Sequence, residues 1–317
     1  MKKLIILIAA FLGMMSTASA QQEAIYMHYM FNPSYINPGA TGYDDAHHDV
    51  FMNVRSAWTN FPGTPKSYAL NYNGAFGKQF GLGALLFTEN IAAITRYRAQ
   101  VSYAYKYQIK KTKLGIGFTT EFNRLRVNNT EESNPFYEAG DLSIEEAVDG
   151  KKAFDVTLGF YGSWLEERVY AGLTLPSLIR ARIGEIGDPS DSGVLSIQHF
   201  TVNVGGNFDL PDYKMRLEPS IMIRSIRDVP FQVDFNAIAY FLNDQLITGF
   251  TYRAGTGGNL GLYLGTKFKT IRFVYSYDLY FREFQTYNGG SHEVTVNFEF
   301  DRKKSKYDRS KKYRGSR

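Results

Sequence analysis

From about residue 50 to residue 300 the chain returns again and again to one pattern: nine to twelve residues in which apolar and polar side chains alternate. In KLGIGFTTEF (113–122), Leu114, Ile116, Phe118, Thr120 and Phe122 share one face, and Lys113, Gly115, Gly117, Thr119 and Glu121 share the other. In AFDVTLGFYG (153–162), Phe154, Val156, Leu158 and Phe160 oppose Asp155, Thr157, Gly159 and Tyr161. QHFTVNVGGNF (198–208) and HEVTVNFEF (292–300) behave in the same way. Successive side chains of a strand point to opposite faces, so each segment reads as a strand with one apolar and one polar face.

A soluble sandwich also alternates, but three features favour a barrel in a membrane. The segments have the roughly 9–11 residues that a tilted strand needs to cross a bilayer, whereas soluble strands are usually about 5–6 residues long. Their polar faces carry Gly, Asn, Thr and charges. Tyr and Phe, 23 and 24 of them in the chain, crowd at segment ends, as in SYAYKY (102–107) and RFVYSYDLYF (272–281), which suits interfacial girdles.

The pattern predicts strands at 50–58, 66–75, 79–89, 93–107, 113–124, 153–164, 167–175, 198–208, 214–226, 230–241, 245–254, 259–267, 270–281 and 292–300. These 14 form an even number, which lets the first and last pair antiparallel and leaves no edge open in lipid. Connections after even-numbered strands are brief. The two long ones, 125–152 and 176–197, both follow odd-numbered strands. With a periplasmic N-terminus this gives short inner turns and long external loops. The expected fold class is therefore all-β, a transmembrane antiparallel β-barrel of about 14 strands spanning residues 50–300.

Residues 1–20, MKKLIILIAAFLGMMSTASA, have the basic start, the short apolar run and the small-residue end of a cleaved secretory signal. The apolar run is too short for a spanning helix, which needs about 20 residues. There is no cysteine, so disulfides and zinc–thiolate sites are excluded. The formal charge of +5 is unevenly placed: residues 301–317 hold nine Lys/Arg and two Asp, a basic periplasmic tail on a mildly acidic body. Such a tail is ordinarily a solvated arm. Export makes nucleic acid an unsuitable partner, and an acidic protein or anionic head groups a suitable one.

Residues 21–49 form an N-terminal, periplasmic or plug-like segment, and within it YMFNPSYINPGATGY (29–43) is stiff and aromatic. Proline fixes φ, lacks an N–H and biases the preceding residue away from helix. Pro33 and Pro38 therefore lower the entropy lost on ordering. Asn32 and Asn37 are placed for Asx-type turns onto nearby backbone. Tyr29, Phe31 and Tyr35 offer apolar area for a contact surface, and Gly39 and Gly42 let the chain turn into the first strand. The segment is expected at the barrel mouth or against a partner, or as a loop that only helps the barrel close.

YMHYMFNPSYINPGATGY resembles the N-terminal signature of the PorP/SprF family of type IX secretion and gliding proteins. Further matches follow in order: SAWTNFPGTPKS (56–67), FGLGALLFTEN (80–90), VSYAYKYQIKKTKLGIG (101–117), LEPSIMIRSI (217–226), PFQVDFNAIAYFLNDQLITGFTYR (230–253) and YSYDLY with NGGSHEVTVNFEF (275–300). The resemblance covers about residues 24–300 and omits the basic tail. It implies a FadL-like outer-membrane barrel. It also implies as partners a peptidoglycan-associated periplasmic protein or lipoprotein and secreted cell-surface cargo such as adhesins.

No GxSxG elbow, HExxH helix or Walker loop is present, so no catalytic residue, metal site or cofactor is expected. His47-His48 beside Asp44, Asp45 and Asp49 reads as a solvated loop, and Glu131, Glu132, Asp141, Glu145 and Glu146 lack EF-hand spacing. Alternation turns Glu121, Asp155, Arg216, Glu218, Arg224, Asp234, Glu293 and Glu299 toward the lumen. Their mixed signs suit either an interior that pairs with itself or with a plug, or a water-filled polar lumen. Three functions compete: a secretion scaffold, a FadL-like small-molecule transporter or passive channel, and an outer-membrane hydrolase, for which no nucleophile–base pair is legible.

Overall fold

The computed structural model describes residues 28–127, 150–183, 199–226, 229–255, 258–281 and 288–302. The strands are β1 (His47–Ser56), β2 (Lys66–Phe76), β3 (Phe80–Ile91), β4 (Ile94–Ile109), β5 (Thr112–Val127), β6 (Lys151–Trp164) and β7 (Val169–Ile183). After them come β8, in two pieces (Phe200–Gly206 and Phe208–Leu210), β9 (Met215–Ile226), β10 (Val229–Phe241), β11 (Leu246–Ala254), β12 (Asn259–Phe268), β13 (Ile271–Tyr280) and β14 (Ser291–Asp301). Each strand pairs antiparallel with its neighbours in the chain, and β14 pairs with β1 from His47↔Asp301 to Ser56↔His292. The sheet is thus a closed 14-strand barrel, and no edge is left to meet lipid unpaired.

Burial is inverted relative to a soluble protein. Leu86, Phe118, Phe250 and Leu264 are exposed on the outer wall, while Asn53, Asp234, Ser276 and Glu293 are fully buried inside. The alternation of β5 and β14 predicted from sequence is the alternation observed. His292 lies on the outer face, near the long-loop end of β14. Its Nδ1 is 2.7 Å from the Tyr275 hydroxyl and its ring packs on Tyr277. Glu293, one residue on, is the one that points inward.

Two departures from the sequence expectation concern the wall itself. β7 does not stop at Pro176 but continues to Ile183. The irregularity is absorbed between Leu158↔Leu175 and Val156↔Ile179, with Ser177 at φ 53°, a bulge of the sort that admits proline to a strand. β1 begins at His47 rather than Val50, so residues 47–49 belong to the barrel and not to the segment before it.

Candidate functional site

The segment ahead of β1 runs inside the barrel. Its three single-turn 3-10 helices cover His28–Phe31, Pro33–Tyr35 and Pro38–Ala40. Pro33 and Pro38 each occupy the first position of a turn, where the missing N–H leaves nothing unpaired. The segment descends from His28, beside residues close to the long-loop ends of β1, β13 and β14, to Asp45 at the short-turn end. It therefore lies along the lumen and does not stand at the mouth.

The first half is held by side chains. His28 places its ring nitrogens 2.7 Å from Thr295 Oγ1 and 2.9 Å from Ser276 Oγ, and its backbone N–H donates to Glu293. Burial, opposed by Glu293 and Asp278, pulls the His28 pKa below 6.5, so the ring is held neutral. Glu293 accepts from Asn53 and from Arg55, whose other nitrogen donates to Asp278 at 2.7 Å. The Tyr29 hydroxyl donates to Asp234 (3.2 Å), which also takes two bonds of 2.7 Å from Arg253. Burial raises the Tyr29 pKa well above its ordinary value, so it stays a donor. Met30 and Phe31 join Met222, Ile238, Tyr240, Ile247, Tyr263 and Val274 in an apolar cluster that lies within the lumen.

The second half is held by backbone. Asn37 Oδ1 accepts from Gly39 N–H (2.9 Å), the expected Asx turn, and its Nδ2 donates to the carbonyl of Phe160 (2.8 Å). Around it the wall is rich in glycine. A Cβ on Gly39 would sit 2.8 Å from Tyr161 N, 2.9 Å from Gly115 O and 3.0 Å from Gly159 O. A Cβ on Gly81, Gly115 or Gly117 would run into the backbone of Thr41, Gly39 or Pro38, and one on Gly159 would strike the Asn37 side chain. These inward glycines of β3, β5 and β6 form a track on which residues 37–42 lie main chain to main chain, the situation in which glycine within a strand is required. At the lower end Lys106 reaches Gly42 O and Asp45, and Lys113 reaches Tyr43 O, so two buried lysines latch the segment's exit.

Two expected roles need correction. Asn32 makes no cap to local backbone. It accepts from Ser34 Oγ (2.6 Å) and donates to Asn71 Oδ1 (2.8 Å), bridging the segment to β2. Gly39 is not a hinge with positive φ; the turn residue is Gly42 (φ 58°), and Gly39 is required by close approach. Tyr35 packs with Ala69, Leu85 and Phe87.

All eight residues assigned to the lumen by alternation point inward, distributed around the wall. Glu293 and Asp234 bind the segment and are described above. Glu299 pairs with Lys267 (2.6 Å) and Arg272 (2.7 Å). Glu218 accepts from Tyr170 and Tyr240, and Arg216 lies 3.8 Å over the Tyr240 ring while reaching Asp244. Arg224 donates to Gln232, Asp155 accepts from Ser177 (2.6 Å), and Glu121 accepts from Gln100 and Asn123. The interior thus pairs both with itself and with the segment. Arg55, Arg253, Asp278, Lys106 and the glycine track were not singled out from sequence. The signal of the track was present in the inward parity of GLG (81–83) and GIG (115–117).

His47 Nδ1 lies 3.1 Å from Asp44 and its Nε2 3.4 Å from Asp301. Among the described residues no group of three or more His, Asp or Glu could hold a metal ion. The acidic loop at 131–146, the signal sequence and the tail beyond Arg302 lie outside the described residues.

Among solved structures the chain is similar to the toluene transporter TbuX of Ralstonia pickettii. Identity is 9%, the TM-score is 0.47, and 89% of this chain and 96% of that one are covered. For the toluene transporter TodX of P. putida the identity is 11%, the TM-score 0.46 and the coverage 86% and 95%. For Omp33 of Acinetobacter baumannii the figures are 8%, 0.43, and 81% and 99%. These distant likenesses carry no functional argument. Comparison with curated proteins gives no match. Residues 18–298 match the model of the type IX secretion system membrane protein family PorP/SprF.

Proposed function

The chain belongs to the PorP/SprF family of type IX secretion system membrane proteins, and from that premise we propose that this outer-membrane barrel is a non-catalytic scaffold of the secretion machinery. It contacts a peptidoglycan-associated periplasmic protein or lipoprotein and assists secretion and surface attachment of cargo such as adhesins. The observation that supports a scaffold over a FadL-like channel is the occupied lumen: residues 28–45 run along it, joined to strands on both sides by hydrogen bonds and ion pairs.

The test is deletion of residues 29–42 with the signal sequence and all strands retained. Folded protein in the outer membrane without cargo on the cell surface supports the scaffold reading. Unchanged secretion removes the segment from that role, and failure of the barrel to assemble makes it a structural cap. Crosslinking in the native envelope is the companion measurement: a scaffold captures a periplasmic lipoprotein or a large surface protein, and a small-molecule channel captures neither.

A further inference from the structure

On the β4–β9 side of the lumen, toward the long-loop end, lies a cavity of about 170 Å³. Tyr35, Ile36 and Pro38 line it from the segment, and the β7 bulge adds Pro176 and Ser177 to its wall. At about 30 Å³ per molecule the space takes roughly six waters, about the volume of one sugar ring. Its charges cancel among the described residues, with Arg98 and Arg224 against Glu121 and Asp155. They are also engaged within the protein. Arg98 lies 3.4 Å from Glu121, Arg224 donates to Gln232, and Asp155 accepts from Ser177 (2.6 Å). The cavity therefore has no net charge that would draw an ion.

What the wall leaves unpaired is hydroxyl. Thr174 is 3% exposed, and its Oγ1 has no hydrogen-bond partner. Thr201 stands opposite it on β8 and Thr157 lies on β6, and neither side chain makes a hydrogen bond among the described residues. All three line the cavity. A buried polar group without a partner is unfavourable, and valine would keep the shape of threonine without that group. Three such hydroxyls on three neighbouring strands therefore point to a hydrogen-bonding occupant. Each can donate and accept, which matches an occupant that is itself rich in hydroxyls. The residues on the segment side offer that occupant an apolar surface.

We propose that this cavity is a binding site for a neutral saccharide. The hydroxyls of a single ring pair with Thr157, Thr174 and Thr201, and its C–H face rests on Tyr35, Ile36 and Pro38. An anion or a zwitterion would need charged partners that the wall already engages. An apolar molecule would leave the three hydroxyls unpaired. A free sugar and the glycan of the outer leaflet offer the same chemistry. The assignment is independent of the scaffold reading, which concerns the periplasmic and cargo contacts.

The mature protein, purified in a detergent without sugar head groups, is mixed with glucose, galactose, mannose or N-acetylglucosamine. Binding is read by saturation-transfer NMR of the ligand. At least one sugar is expected to bind with a Kd on the order of 1–10 mM, and glycine betaine and phosphate are expected not to bind. The triple variant T157V/T174V/T201V keeps the shape of the cavity and removes the three hydroxyls. It should unfold at the same urea concentration as the parent or a higher one, and bind about tenfold more weakly. Thr201→Val alone, measured beside it, should show a smaller loss in the same direction. Lipid-free oligosaccharide from lipopolysaccharide separates the two sources. Tighter binding than any single sugar assigns the site to the outer-leaflet glycan, and equal or weaker binding assigns it to a free sugar. The proposal is overturned if no sugar binds at about 50 mM, which leaves water as the occupant. It is also overturned if parent and triple variant bind equally, or if betaine or phosphate binds as tightly as the sugars.

Discussion

The two halves of the lumenal segment are held by different physics. Residues 28–31 reach the β1 and β10–β14 side through charged and aromatic side chains: His28 to Glu293 and Thr295, Tyr29 to Asp234, Phe31 against Tyr263. Residues 37–42 meet the β3–β7 side largely through main chain, because Gly81, Gly115, Gly117 and Gly159 let the backbones approach. The first attachment depends on charge and protonation. The second depends chiefly on shape, with Lys106 and Lys113 closing its lower end. A segment tied in both ways can be loosened at one end while the other keeps its register.

The largest effect is expected on the charged side. Asp234→Ala leaves Arg253 buried without its bidentate carboxylate and removes the acceptor of Tyr29. Breaking a buried pair from one side costs about 3–5 kcal/mol, to be read from urea unfolding in lipid vesicles. A cost below about 1 kcal/mol would mean that water reaches the pair and that the first half is not sealed.

Next comes the track. Gly117→Val drives a side chain into the Pro38 backbone, and overpacking of this kind costs about 1–3 kcal/mol. The strain can also be relieved by expelling the segment. The variant should therefore show ion conductance in planar bilayers that the parent lacks. A stable, non-conducting variant would refute the close approach on which the comparison rests.

Asn37→Ala tests the side chain at the start of the second half. It leaves Gly39 N–H without its acceptor and removes the bond to the Phe160 carbonyl, at about 1–3 kcal/mol for a buried group left unpaired. Asn32→Ala removes only the bridge to Asn71 and the bond from Ser34, and it should cost less. Reversal of that order would make the β2 contact the main anchor.

The smallest effect separates the halves by pH. The folded pKa of His28 is depressed below 6.5, so the unfolded chain binds a proton first as pH falls. Stability is fully present above pH 6.5 and declines as pH drops from there toward the folded pKa. His28→Gln should remove that slope, while Gly117→Val should leave it unchanged. An identical slope in His28→Gln would assign the titration to another group.

How much of this could be read in the chain divides along the same line. Alternation in β5 and β14 is local: each residue's face follows from its own parity, so Glu293 and Glu121 were legible as lumenal without any knowledge of their neighbours. The even strand count follows from the same local signal together with the cost of an open edge in lipid. β7 runs past Pro176, a residue that ordinarily ends a strand, and only the paired β6 shows that a bulge carries the chain past it.

The sequence by itself determined a closed outer-membrane barrel with a stiff aromatic segment before it, because period, segment length and proline geometry are properties of neighbouring residues. The tertiary structure alone decided where that segment goes. Gly39 and Gly159 look like any other glycines until they are seen facing one another. Asn32 resembles a cap until Asn71, 39 positions away, supplies its partner. Close approach of backbones and pairing of buried charges are set by what lies across the lumen, and distance along the chain carries no record of that.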